Sequence, residues 1–230
     1  MRAVVPSRLV RICACAAPLL VAACGGGRGD GGGVGGPPLT SAPGDAAVSQ
    51  YLQAAHQATL TGTDTSGNSY TLQLSTTPSA GASTFNGYAG AHSRVVSSTI
   101  SVNGVPRAPD VQTYHFLVDP YEPLDTGGSS EVVDSFVPLP TTVEVGTLET
   151  NIVSFSIQPN SPGGGAGADY FTVGANDSRS VLLCLGYAYS EDMGLLSVAQ
   201  SDCYGVDALG DMQLISVNEE VSYNLFVVFK

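Results

Sequence analysis

The chain has no tryptophan, a single lysine at its last position, and three widely separated histidines, His56, His92 and His115. Its eight basic residues face twenty acidic ones, a net charge of −12. Nucleic acid is bound through clustered lysine and arginine, and anionic lipid head groups attract the same residues. Neither partner is expected here. The histidines lack metal-ligand spacing, and no stretch reaches the ~20 apolar residues of a membrane-spanning helix. The G-x-S-x-G elbow, H-E-x-x-H, the P-loop and the dinucleotide fingerprint are also missing. Sequence motifs therefore assign no catalytic residue, no metal and no cofactor.

What is present begins with an address. Arg2, Arg8 and Arg11, with no acid among them, precede an apolar stretch from Ile12 to Ala23, and Cys24 follows. A basic region, a short apolar region and small residues before a cleavage point make a secretory signal peptide. Leu20-Val21-Ala22-Ala23-Cys24 resembles the lipobox of bacterial lipoproteins: an apolar residue, small residues, then the cysteine. The resemblance covers about the first tenth of the chain. It implies that the Cys24 thiol receives a diacylglyceryl group, that the signal is cut before it, and that the new amine is often acylated. Two or three acyl chains anchor firmly where one does not, so the expected partner is the membrane, through the lipid on Cys24. In that family an acidic residue after the cysteine tends to hold a protein at the inner membrane. Gly25 implies the outer membrane of a Gram-negative cell instead, with the domain facing the periplasm or the cell surface. The plain alternative is an ordinary secretory signal with an incidental cysteine. Cys13 and Cys15 lie inside the signal and leave with it.

Residues 1–23 are thus read as signal, 24–45 as tether and 46–230 as one β-rich domain. Gly25 to Gly36 is nearly all glycine, and Pro37, Pro38 and Pro43 follow. Glycine-rich chain is a flexible coil, and at ~5–6 Å × √n this one reaches some tens of ångströms. Arg28-Gly29-Asp30 spells an integrin-type tripeptide, read as chance in such a tract. Once the signal is removed, five basic residues face twenty acidic ones, a net of −15, which serves solubility before it serves any function.

The remaining ~185 residues suffice for one sizeable core. Serine, threonine, glycine and valine dominate, the composition of strands joined by turns. The expected fold is all-β, an antiparallel β-sandwich or closed β-barrel with one short N-terminal helix. That helix begins near Asp45, a possible cap, with Val48, Tyr51, Leu52 and Ala55 on one face. Tyr70, Leu72 and Leu74 alternate with polar residues, as do Val153, Phe155 and Ile157, whereas Val181 to Tyr189 runs apolar like a strand buried on both faces. Ten to twelve short strands are expected. A transmembrane barrel is disfavoured by the anchor, the tether and the shortage of ~10-residue two-faced strands.

Gly62-x-Asp64-x-x-Gly67 and Gly205-x-Asp207-x-x-Gly210 share spacing. The readings are convergent hairpin chemistry, a duplication, or calcium, for which the twelve-residue layout with a bidentate Glu is absent. The loop Asp119-Pro120-Tyr121-Glu122-Pro123-Leu124-Asp125 is the candidate ligand loop: two prolines stiffen a segment carrying Asp119, Tyr121, Glu122 and Asp125. Its plainer reading is a rigid connection with solvated acids. His115, between Tyr114 and Phe116, reads as an outward strand residue. Cys184 and Cys203 are the only cysteines after Cys24, and outside the cytoplasm such a pair reads as a disulfide. The favoured function is a tethered, non-catalytic β-domain with a structural, interaction or ligand-binding role. Carbohydrate is one candidate ligand, made less comfortable by the missing tryptophan. The alternative is a small envelope hydrolase whose site is assembled from separate strands.

Overall fold

The computed structural model describes residues 37–125, 131–157, 166–190, 197–222 and 225–230. The lipobox, Cys24, the glycine run and residues 159–165 of the glycine-proline loop lie outside them.

Strand pairing builds two seven-stranded antiparallel sheets and a small two-stranded one. The small sheet joins β1 (Ser41–Pro43) to β10 (Thr142–Glu144). One large sheet holds β2 (His56–Thr63), β3 (Ser69–Pro78), β5 (Tyr88–Val102), β7 (Asp110–Val118) and β8 (Tyr121–Pro123) in that order. Two short strands, β4 (Ser83–Phe85) and β6 (Val105–Pro106), pair with β5. The other sheet comprises β9 (Glu131–Phe136), β11 (Leu148–Ile157), β12 (Ala166–Ala175), β13 (Ser180–Ser190), β14 (Ser197–Asp207), β15 (Met212–Ser222) and β16 (Leu225–Phe229). It runs as a meander in the order β16-β15-β14-β13-β12-β11-β9. Neighbours in sequence are neighbours in space, as short antiparallel connections require. The expected all-β antiparallel fold with one helix, α1 (Asp45–Leu52), is what the chain adopts. It is sandwich-like, and its two large sheets are stitched at one edge. Thr61 and Lys230 exchange N–H···O bonds of 2.9 and 2.8 Å. Gly62 is what permits this approach: a Cβ there would meet the Val228 carbonyl oxygen at 2.7 Å and Val227 Cγ1 at 2.5 Å.

The core has two centres. One lies beneath α1, β1 and β10 and contains Val48, Leu139, Val143, Phe171, Leu183 and Val206. The other lies where β2 and β3 meet β15 and β16 and contains Leu60, Tyr70, Leu72, Val217, Val227 and Phe229. Leu214 packs against both. At ~25 cal/mol per Å² of apolar surface removed from water, this burial is the main force holding the sheets together.

Three local expectations are corrected. Asp45 does not cap α1. The residue before the helix is Gly44, without a side-chain cap, and its N–H donates to the Thr141 carbonyl. Asp45 Oδ1 instead accepts the backbone N–H of Tyr121 at 3.1 Å. The packed chain also starts inside the stretch read as tether, since Ser41–Pro43 is a strand and Ala42 is buried. Finally, the described residues form sixteen strands where ten to twelve short ones are expected, and seven of them are long: β3, β11 and β12 have ten residues, β13, β14 and β15 eleven, and β5 fifteen. An argument against a membrane barrel comes instead from the faces of β2. The exposed positions of β2 are Gln57, Thr59, Thr61 and Thr63, and Leu60 points inward. A barrel in lipid reverses that order, apolar outward and polar inward.

Candidate functional site

The two matched Asp-x-x-Gly segments fold into the same turn. Asp64 Oδ1 accepts the N–H groups of Ser66 and Asn68 at 2.8 and 2.9 Å, and Asp207 Oδ1 accepts those of Leu209 and Asp211 at 2.8 and 3.0 Å. Gly67 and Gly210 take φ of 85° and 90°, which glycine adopts without strain. In each turn the aspartate Oδ1 is spent on the backbone of its own hairpin, the Asx chemistry that favours such turns. Hydrogen bonds from Asn68, foremost, hold the Asp64 carboxyl below the usual carboxylate range. Among the described residues no group of three or more His, Cys, Asp or Glu is placed to hold a metal ion.

The pair Cys184 and Cys203 is bonded, and the two residues stand directly opposite each other in the β13–β14 register with Cα atoms 4.0 Å apart.

The candidate ligand loop does not present its four groups together. Tyr121–Pro123 pairs with β7 as Val118↔Tyr121, Leu117↔Glu122 and Phe116↔Pro123. Successive strand residues point to opposite faces, so Tyr121 and Glu122 part company. The Tyr121 ring packs inward, 6.3 Å from Phe116 and 6.0 Å from Phe136. Burial, with a smaller push from Asp169, raises its hydroxyl well above tyrosine's ordinary range. Asp119 stays exposed. Asp125 turns to His115, its Oδ1 accepting the His115 N–H at 2.9 Å and its Oδ2 lying 2.5 Å from His115 Nδ1. His115 leaves the face opposite buried Phe116, as an outward strand residue does, but it is covered there: its side chain is 22% exposed, and Phe85 stacks on the ring at 3.7 Å and 9°. A carboxylate on Nδ1 fixes the tautomer and orientation of an imidazole and leaves Nε2 for proton transfer.

A second polar assembly sits in the interior and was not foreseen. Arg94 on β5 is only 7% exposed, and its guanidinium lies 5.5 Å from the centre of the Tyr51 ring. Tyr51 stacks on His56 at 3.8 Å and meets Tyr204 edge-on at 5.1 Å. The Tyr204 hydroxyl donates to Asp202 Oδ2 at 3.4 Å. Burial lifts the Asp202 carboxyl to about 6, against the pull of Gln200, Tyr204 and Arg94. Burial, then the charges of Asp202 and Asp110, lifts Glu219 to about 7. Among the described residues Arg94 Nε and Asp202 Oδ1 have no hydrogen-bond partner. The parity of β5 held the clue, because Arg94 falls on the same face as Val96, Ile100 and Val102.

Between α1 and the β3 end lies a cleft of about 180 Å³, bordered by Gln53, Pro78, Ser79, His92, Ser93 and Phe116. None of these side chains is an acid or a lysine or arginine, so it suits a small neutral ligand or an acyl group better than an ion. Among the described residues no serine hydroxyl is hydrogen-bonded to a histidine ring: His56 Nε2 pairs with the Tyr51 carbonyl at 2.8 Å, and His115 Nδ1 pairs with Asp125. No protein-family model matches the chain, and neither a curated protein nor a solved structure does.

Proposed function

We propose that the chain is a lipid-anchored protein of the bacterial cell envelope, held through Cys24 in the outer membrane of a Gram-negative cell and facing the periplasm or the surface. Its β-domain works by binding or bridging rather than by turnover. The observation that carries this reading is Leu20-Val21-Ala22-Ala23-Cys24 followed at once by the glycine run. The Cys184–Cys203 bond supports it, because disulfides persist outside the cytoplasm. So does the polar outer face of β2, which belongs in water beside a membrane and not within it. The test is fractionation: Cys24→Ala is expected to move the protein from membranes to the soluble envelope fraction, and a variant still on membranes would overturn the anchor.

A second reading, the small envelope hydrolase with a site assembled from separate strands, is favoured by one specific observation. His115 is held by the carboxylate of Asp125 and pinned by Phe85, the preparation an imidazole needs to act as a base.

A further inference from the structure

The strand order β5-β7-β8 places three groups in a line across neighbouring strands. Asp125 stands just past β8, His115 on β7, and Ser93 directly opposite His115 on β5. Cross-strand partners leave the same face of a sheet with Cβ atoms ~4.5–5.5 Å apart. With Nδ1 held by Asp125 past β8, Nε2 is the imidazole nitrogen left to serve Ser93 on β5, and no hydrogen bond joins the two in this resting arrangement among the described residues. Among the described residues no hydrogen bond engages the Ser93 hydroxyl, while its backbone N–H donates to Ser79 Oγ at 3.1 Å. On the face that Ser93 and His115 share, Phe85, stacked on the His115 ring, supplies apolar surface for a short acyl chain, whereas Phe116 and Pro78 of the cleft leave the opposite face of the sheet.

We propose that Ser93 is a nucleophile activated by the His115–Asp125 pair toward small carboxylic esters. The proposal rests on the hydrolase reading and is independent of the lipid anchor. His115 Nε2 takes the hydroxyl proton as Ser93 Oγ bonds to the ester carbonyl carbon. The bond to the leaving alkoxide then breaks, and His115 returns the proton to it, leaving acyl-Ser93 and an alcohol. Water repeats the sequence: it gives a proton to His115, attacks the acyl carbon, and expels Ser93 Oγ, which regains the proton and releases a carboxylic acid. Asp125 is a positioning residue that acts through His115. The Ser93 N–H, being committed to Ser79, is withheld from a developing oxyanion. Loss of one such donor costs ~10²–10³ in rate, so turnover is slow and covalent labelling is the sensitive readout.

The experiment treats the purified full chain with a fluorophosphonate probe, which captures serines activated by a base, and maps the adduct by peptide mass. The expected result is one adduct, on Ser93, absent in Ser93→Ala. Its rate should fall about 100-fold in His115→Ala, in keeping with the share a general base supplies, and recover in part when free imidazole is added. Should His115→Ala fail to fold, Asp125→Asn is read in its place and must also slow labelling. No adduct, an adduct on another serine, or a Ser93 rate indifferent to both variants would overturn the proposal. None of these outcomes bears on the anchor, which the mass of the membrane form decides separately.

Discussion

Two buried regions of this domain have opposite chemistry. Where β2 and β3 meet β15 and β16, the interior is Leu60, Tyr70, Leu72, Val217, Val227 and Phe229, with Phe229 fully buried. In the other, Arg94 on β5 and Asp202 on β14 stand beside Tyr51 and Tyr204, with Glu219 on β15 near Asp202, and Arg94 Nε and Asp202 Oδ1 are unpartnered among the described residues. The first region draws its stability chiefly from packing, and its buried residues include no carboxylate. The second spends part of that stability on desolvated charge, which burial makes costly unless it is neutralised or fully paired. Domains tolerate such a region where a fixed polar arrangement serves more than cohesion.

The difference can be broken from the packed side first. Phe229→Ala should cost ~3–5 kcal/mol, the range for emptying a well-packed aromatic site, and calorimetry should find the same loss at pH 5 and pH 8. A loss that varied with pH would mean the two regions are not separate.

The staple comes next. Cys184→Ser opens a closed loop spanning a separation of 19 residues, worth ~3 kcal/mol in the chain-entropy account. The melting temperature should fall in the variant, and equally in the reduced wild type. An unchanged value would remove the disulfide from the account.

The polar side is sharpened by pH. Asp202 and Glu219 have folded-state values of about 6 and about 7, raised from ordinary carboxylate values. The folded state therefore holds its protons more tightly than the unfolded chain. The stability due to these groups is full below about pH 4 and is lost as pH rises through 6 and 7. A tenfold difference in proton affinity between the folded and unfolded chain is worth about 1.36 kcal/mol, so the loss from Asp202 is on the order of 2–3 kcal/mol. That from the more exposed Glu219 is smaller. Asp202→Asn should flatten the fall in melting temperature between pH 5 and 8. A curve as steep as that of the wild type would show that Asp202 is not the titrating group.

The smallest effect separates the matched turns. Asp64 binds Asn68 Nδ2 and the Tyr70 hydroxyl through Oδ2, at 2.8 and 3.0 Å, besides its backbone partners. Asp64→Ala should thus lower the melting temperature more than Asp207→Ala, and the reverse order would contradict the bonding described.

Those turns were also the most legible part of the sequence. Asp-x-x-Gly states its own hydrogen bonds and its own positive φ, so spacing alone announced two identical hairpins. The strands of the meander followed from alternation, and Cys184 and Cys203 from counting. The arrangement of the loop at Asp119 is not legible locally because its groups are set by pairing with β7, which turns Tyr121 inward and sends Asp125 to a histidine ten residues earlier. Nothing near His115 in sequence predicts Phe85 on its ring, thirty residues upstream, or Ser93 across from it. Side chains that converge from separate strands leave no local signal; only parity hinted that Arg94 pointed inward.

The most direct test of the central claim is the intact mass of the protein extracted from its native membranes, before and after reduction and alkylation. The account predicts a chain beginning at Cys24 and carrying two or three acyl chains, with two further thiols alkylated only after reduction. A mass without lipid would contradict it, making the glycine run a linker to nothing and the domain a freely diffusing protein.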